Sequence, residues 1–208
     1  MLRLTLISLT CAALLPGCAA ISALSGAATP LENYDLAAPV DAPQARRSLA
    51  RQLVVEIPTA PGALMTERIL IRPRPLQAQY LPDGQWASEA PVMMQTLILR
   101  TLEDSNGFRY VGRRPLGSFG DFVLISELTD LQAEAQPEGD GATIRVRLTA
   151  RVVRESDAAV IASRTFNAAA ASATTETLDL VDGFNTASQS MLRDLSAWVL
   201  TTTGAGAR

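Results

Sequence analysis

Three long segments separated by two short turns constrain the fold of this chain most strongly. In the second segment, TIRVRLTARVVR, apolar residues alternate with polar ones. Its apolar members are Ile144, Val146, Leu148 and Val152. Alternation of this kind places them on one face of a β-strand and the arginines on the other. Since the turns PEGDGA and ESDA favour tight reversals, we predict an antiparallel meander over residues 121–133, 142–154 and 158–170.

Shorter β-rich runs and two helical patterns surround this meander. The runs predict strands over residues 52–58, 68–72, 75–81 and 108–112. Helical spacing predicts one helix over 89–105, with Ser88 as N-cap, and another over 177–200. The apolar faces of these helices comprise Met94, Leu97, Ile98 and Leu102 in the first, and Val181, Phe184, Met191, Leu195 and Trp198 in the second. The order predicts an α/β (α+β) fold: a single domain with a mixed β-sheet covered by two main helices.

The first residues have the pattern of a bacterial lipoprotein signal peptide. Arg3 precedes about a dozen apolar or small residues, and Leu15-Pro16-Gly17-Cys18 follows them. This arrangement resembles the lipobox, although Pro16 departs from it, and it implies cleavage after residue 17 and a covalent lipid on Cys18. An ordinary signal peptide that happens to contain a cysteine is the alternative. Cys11 lies within the apolar run and would be removed, so we expect no disulfide.

The remaining chain divides into three predicted parts. Residues 18–46 read as a lipidated N-terminus and flexible tether, because they are rich in alanine and serine and then in proline. Residues 47–203 form the predicted domain, and residues 204–208 a disordered tail.

Composition excludes several functional classes. The chain has no lysine and no histidine; removal of residues 1–17 takes away one of 18 arginines and leaves 17 against 21 acidic residues. This acidic balance argues against nucleic acid as a partner. Without histidine, Ser-His-Asp and Cys-His catalytic groups cannot form. We therefore expect no catalytic residue, no metal and no cofactor besides the lipid on Cys18, although an enzyme that uses only carboxylates stays open.

Several segments resemble the ABC-type transport auxiliary lipoprotein family. They are NYDL at residue 33, ERILIR, the long run from Tyr80 through WASEAP to Val111, DFVLISELTDLQAE, and the terminal LSAWV. The resemblance covers residues 33–199. It implies an auxiliary subunit of an MCE-type ABC transport system, similar to paraquat-inducible systems, that moves lipids or other apolar molecules between the two bacterial membranes. The implied partners are an MCE-domain periplasmic protein and its permease and ATPase subunits.

The expected location is the periplasmic face of the outer membrane, with the protein held there by its lipid anchor. Ala19 and Ala20 lack the aspartate that, in lipoproteins similar to this one, often retains the product in the inner membrane. A structural or assembly lipoprotein of another outer-membrane complex, without lipid contact, is the alternative function.

Four residues are candidate partner contacts: Trp86, Arg145, Arg147 and Arg151. Arginine and aromatic side chains dominate the binding energy of many interfaces. Each candidate has a simpler interpretation, because Trp86 and Tyr80 could pack in the core and the arginines could form a solvated sheet face paired with neighbouring carboxylates. The acidic pairs Glu103-Asp104 and Asp179-Asp182 lie at predicted helix ends and are expected to be solvated.

Overall fold

The computed structural model describes residues 30–208, so Cys18 and the predicted signal segment lie outside the described residues. Within them, eight strands form one mixed sheet and two helices lie on one of its faces. The strands are β1 Glu32–Tyr34, β2 Leu49–Val55, β3 Arg68–Arg72, β4 Gln79–Trp86, β5 Phe108–Gly112, β6 Phe122–Ala135, β7 Ala142–Arg154 and β8 Ala159–Ser172. The helices are α1 Ala90–Asp104 and α2 Thr177–Thr203, and a short 3-10 helix covers Gly62–Leu64. The predicted fold class is confirmed.

The antiparallel meander is formed by β6, β7 and β8 as predicted. β7 pairs with β6 and with β8 along its whole length. Its side chains alternate between the core and solvent: Ile144, Val146, Leu148 and Val152 are buried beneath the helices, whereas the arginines between them are exposed. The alternation of apolar and polar residues along β7 therefore determines which face of the strand the helices cover.

One edge of β6 carries two different strands. β2 runs parallel to the first part of β6, where Val55 pairs with Leu124. β3 runs parallel to its last part, where Ile71 pairs with Ala133. The other edge of β6 is filled by β7. β6 therefore joins the long meander to the shorter strands.

Both predicted helices are present and bury the predicted residues. The predicted apolar face of α1 is fully buried; in α2, Phe184, Met191 and Leu195 are buried, and Val181 and Trp198 are partly buried. Pro91 lies in the first turn of α1, where its missing N–H costs nothing. The predicted N-cap, Ser88, is wrong: Glu89 occupies that position, and its side chain makes no capping hydrogen bond.

The predicted strand over residues 75–81 begins too early. The N–H of Gln77 donates to the carbonyl oxygen of Arg74 at 3.1 Å, which closes a turn around Pro75 and Leu76. β4 starts only at Gln79 and continues to Trp86. Proline favours this reversal because its fixed φ suits the second position of a turn.

The carboxyl-terminal tail is ordered, contrary to the predicted disorder of residues 204–208. Gly204 ends α2 in the left-handed conformation, and the N–H of Gly206 donates to the carbonyl oxygen of Leu200. Ala207 forms an antiparallel bridge with Ala45, and Ala205 is buried. These bonds also correct the last part of the predicted tether, since residues 44–47 pair with the tail. Leu36, within the same predicted tether, is buried in the core.

Candidate functional site

The helices leave one side of the meander uncovered, and we call this side the open face. Its side chains alternate with the core residues of β6, β7 and β8. The polar and charged members are Glu127, Asp130, Gln132, Glu134, Thr143, Arg145, Arg147, Thr149, Arg151, Ser163, Thr165 and Asn167. All three predicted contact arginines therefore lie together on one uncovered surface.

On the open face, Arg145 forms a salt bridge with Glu134. Its Nε lies 2.7 Å from Oε2 of Glu134 on β6, and Gln132 donates to the same carboxylate at 2.8 Å. Burial raises the pKa of Glu134, but these hydrogen bonds outweigh it and hold the pKa below its ordinary value. The hydrogen bond to Glu134 raises the pKa of Arg145 in turn. The interpretation of a sheet face paired with carboxylates is therefore confirmed at Arg145.

Arg147 and Arg151 differ from Arg145. Arg147 stands opposite Asp130 in register, and Arg151 stands opposite Ile125, yet neither guanidinium forms a salt bridge within residues 30–208. Both are exposed. Since their charges are not neutralised within the described domain, they are available to an incoming partner.

Trp86 is not part of any surface, which corrects its candidacy as a partner contact. It is 1% exposed and lies edge-on to Phe184 of α2, with ring centroids 5.2 Å apart. Its large apolar ring is buried where β4 ends and α1 is about to begin, so its alternative interpretation as a core residue is confirmed. Tyr80 is 39% exposed and donates its hydroxyl to the carbonyl oxygen of Ala63, so it packs only partly.

A sequence model of the family described as the ABC-type transport auxiliary lipoprotein component matches residues 34–196. The chain belongs to this family. The match includes every strand from β2 onward, all of α1, and α2 as far as residue 196. Because the family is a lipoprotein component, membership implies a membrane-anchored protein that faces the periplasm.

One curated protein is similar in sequence, and two solved structures share the fold. An uncharacterized protein of Bradyrhizobium diazoefficiens is 25% identical over 198 residues, covering 88% of this chain. The chain spans only 49% of that relative's length. A crystal structure of a Xanthomonas campestris protein superposes with a TM-score of 0.73 at 25% identity, covering 84% of this chain and 97% of the other. A second uncharacterized protein of known structure gives a TM-score of 0.62 at 15% identity, covering 81% and 98% of the two chains.

Two exposed apolar loops border the open face of this auxiliary lipoprotein, and sequence reasoning missed both. In the turn after β3, Leu76 is fully exposed. In the loop between β5 and β6, Leu116 and Phe119 are 67% and 73% exposed. That loop crosses β2 on the open side, because the N–H of Leu116 donates to Oε1 of Gln52. The repeated Arg-Pro-Leu at residues 74–76 and 114–116 is the sequence signal that marks both.

Neither a cluster of metal-ligand residues nor a membrane-crossing helix is found in the part of the chain that the structure describes. No group of three or more acidic, histidine or cysteine residues there could hold a metal ion. Across residues 30–208, no helix combines the length and apolar content that crossing a bilayer requires. The predicted lipid attachment at Cys18 stays a prediction, because that residue lies outside the described part.

Proposed function

We propose that this auxiliary lipoprotein is a non-catalytic docking subunit of an MCE-type ABC transport system. It is anchored at the periplasmic face of the outer membrane, where it receives the MCE-domain periplasmic protein. The permease and ATPase subunits complete the system, which moves lipids or other apolar molecules between the two membranes. The family match over residues 34–196 is the observation that carries the proposal.

The open face supports a docking role. Sheets whose second face is solvated can receive a partner there without rearranging the core. This face offers two exposed arginines, Arg147 and Arg151, for which the described domain supplies no salt bridge. Exposed leucine and phenylalanine side chains lie beside it in the two loops. Arginine and aromatic residues are the side chains in which interfaces concentrate their binding energy.

The membrane attachment rests on Cys18. One acyl chain binds a membrane only marginally, whereas two or three chains at about 0.8 kcal/mol per buried CH₂ hold a protein firmly. A Cys18→Ser variant is expected to leave the membrane fraction and to be found in the periplasm or unprocessed. A fully cleaved Cys18→Ser protein that stays with the membrane would show that another element anchors it.

Co-purification tests the proposed docking role. The acylated protein, tagged at its carboxyl terminus, is isolated from detergent-solubilised membranes, and the bound proteins are identified by mass spectrometry. We expect the MCE-domain protein to be enriched over a preparation from cells that express an unrelated tagged lipoprotein. Enrichment of a porin-like or secretion complex instead would favour the structural or assembly role, and no enriched protein would contradict docking.

A further inference from the structure

A small apolar pocket opens at the end of the sheet where β3 and β6 finish. Its volume is about 240 Å³, and it is lined mainly by Ile71, Leu81, Ala133, Ala142 and Leu180. These residues come from four strands and from the first turns of α2, so the pocket extends the core towards solvent. Apolar cavities of about 150 Å³ stay dry and bind apolar ligands in other proteins. The pocket has the lining and the size to take part of a hydrocarbon chain.

A larger groove, lined by both apolar and charged residues, lies beside the pocket, against the open face. Its volume is about 750 Å³. Its charged lining consists of Arg72, Arg74, Arg145 and Glu134. Glu134 neutralises Arg145, whereas Nε of Arg72 donates to the neutral amide of Gln132 at 2.7 Å. Two positive charges on the lining are therefore not balanced by a carboxylate of the lining itself.

The pocket and the groove share part of their lining. Arg72, Pro73 and Ala135 belong to both. The turn that follows these residues continues the groove and carries Leu76 at a φ of 65°. Bulky residues adopt positive φ only at a cost, and such strain concentrates at functional positions. The turn therefore places an exposed leucine and Arg74 on the lining of the groove, next to the residues that the groove shares with the apolar pocket.

We propose that this shared end of the sheet binds an amphiphile with one hydrocarbon chain and an anionic headgroup. The chain enters the apolar pocket, and the headgroup lies in the groove against Arg72 and Arg74, with Ala135 at the boundary. Charge-assisted bonds from arginine suit a carboxylate or a phosphate equally. The inference rests on the proposed transport role and adds to it that this subunit itself contacts the cargo class.

Fluorescence titration of the isolated protein tests the pocket. The full chain carrying Cys18→Ser is used, because the substitution removes the anchor as a competing hydrocarbon. The probe is dansyl-labelled undecanoic acid, whose emission rises on transfer to an apolar environment. Ala135→Trp fills the shared boundary from an exposed position, and Ala50→Trp is the matched control at an exposed alanine on β2, at the other end of the sheet. We expect at least a tenfold loss of affinity in Ala135→Trp, about 1.4 kcal/mol, and no more than a twofold change in Ala50→Trp.

Competition then tests the headgroup. Palmitic acid is expected to displace the probe more effectively than palmityl alcohol, and inorganic phosphate alone is expected not to displace it. In the double variant Arg72→Gln/Arg74→Gln, the acid and the alcohol should compete equally.

Two results would overturn the inference: equal probe affinity in Ala135→Trp and Ala50→Trp, or an unchanged preference for the acid in the arginine variant. Displacement by phosphate alone would reduce the site to an anion site and would also overturn it. No partner protein is present, so these outcomes are independent of whether docking occurs.

Discussion

The indole of Trp86 meets the ring of Phe184 edge-on, at an interplanar angle of 88°. Trp86 ends β4 just before α1, and Phe184 lies in the second turn of α2; both are essentially buried. This contact therefore joins the junction between β4 and α1 to α2, the helix that covers the meander. Edge-to-face pairs add about 0.5–1.5 kcal/mol beyond the area that they bury.

Truncation of either ring is expected to destabilise the fold. Trp86→Ala and Phe184→Ala should each lower the free energy of unfolding by about 3–5 kcal/mol, because each leaves a cavity in a core that cannot fully collapse. Urea unfolding followed by circular dichroism measures this. The double variant should lose less than the sum of the single losses, since the two side chains touch. A purely additive double variant would indicate that the pair does not interact.

Gly183 is a glycine inside α2 whose missing side chain is needed for packing. A Cβ at this position would come within 2.7 Å of Cγ1 of Ile144 on β7. Alanine normally stabilises a helix interior by about 1 kcal/mol relative to glycine. Here we expect Gly183→Ala to destabilise by about 1–3 kcal/mol through overpacking. Gly117→Ala is the control, since nothing lies within 4 Å of its added Cβ; a stabilising Gly183→Ala would contradict the close approach of α2 to the sheet.

Local sequence patterns predicted most of the fold because they act over a few residues. β7 has the predicted bounds, Ala142–Arg154, since alternation and flanking turns determine where such a strand begins and ends. The predicted disorder of residues 204–208 was wrong, because this tail pairs with residues 44–47. Local patterns cannot show pairing between segments so far apart in the sequence. The strand predicted to begin at residue 75 begins later, because Leu76 adopts a positive φ. Leucine does not favour this conformation, so the residue type gives no sign of the turn.

The candidate site was predictable only in part. Alternation correctly placed the arginines of β7 on one face, but it could not show that Glu134 would pair with Arg145 and not with Arg147 or Arg151. Trp86 was ambiguous for a physical reason, because an aromatic residue at a strand-to-helix junction suits either a core or an interface. Only the position of Phe184, about a hundred residues later, determines that it is buried.

Acid pH should weaken the fold partly through Asp121, which links β2 to the start of β6. Its carboxylate accepts hydrogen bonds from Nη1 of Arg51 at 2.7 Å and from the N–H of Gln52 at 2.8 Å. Burial alone would raise the pKa of Asp121, but these bonds hold it below its ordinary value. A lowered folded-state pKa contributes stability at neutral pH that is lost as the pH falls through that value.

Asp121→Asn is accordingly expected to be less stable than the parent near pH 7, and the difference is expected to shrink as the pH falls through the lowered pKa of Asp121. Urea midpoints measured across this range give the comparison. Asp157→Asn is the control, because Asp157 and its partner Arg154 are about half exposed and such pairs contribute little. A difference between Asp121→Asn and the parent that stays constant with pH would show that the carboxylate charge is not responsible.

Charge reversal of Arg147 and Arg151 should weaken partner binding while leaving the fold nearly unchanged. Exposed substitutions away from special features usually change stability by no more than about 0.5 kcal/mol each. Co-purification of the MCE-domain protein and the melting temperature are measured on the same preparations. Arg100→Glu/Arg109→Glu, at exposed positions on α1 and β5, changes the net charge equally and should retain the partner. Parallel loss of melting temperature and binding would mean that Arg147 and Arg151 are structural.

Site-specific photo-crosslinking in cells tests the central claim most directly, since it reports which face of the auxiliary lipoprotein meets a transport partner. Benzoylphenylalanine replaces Arg151 on the open face in one variant and Thr186, exposed on α2, in the other. We predict a crosslink to the MCE-domain protein from position 151 and none from position 186. Crosslinks to that protein only from position 186, or to no transport component from either position, would contradict docking through the open face.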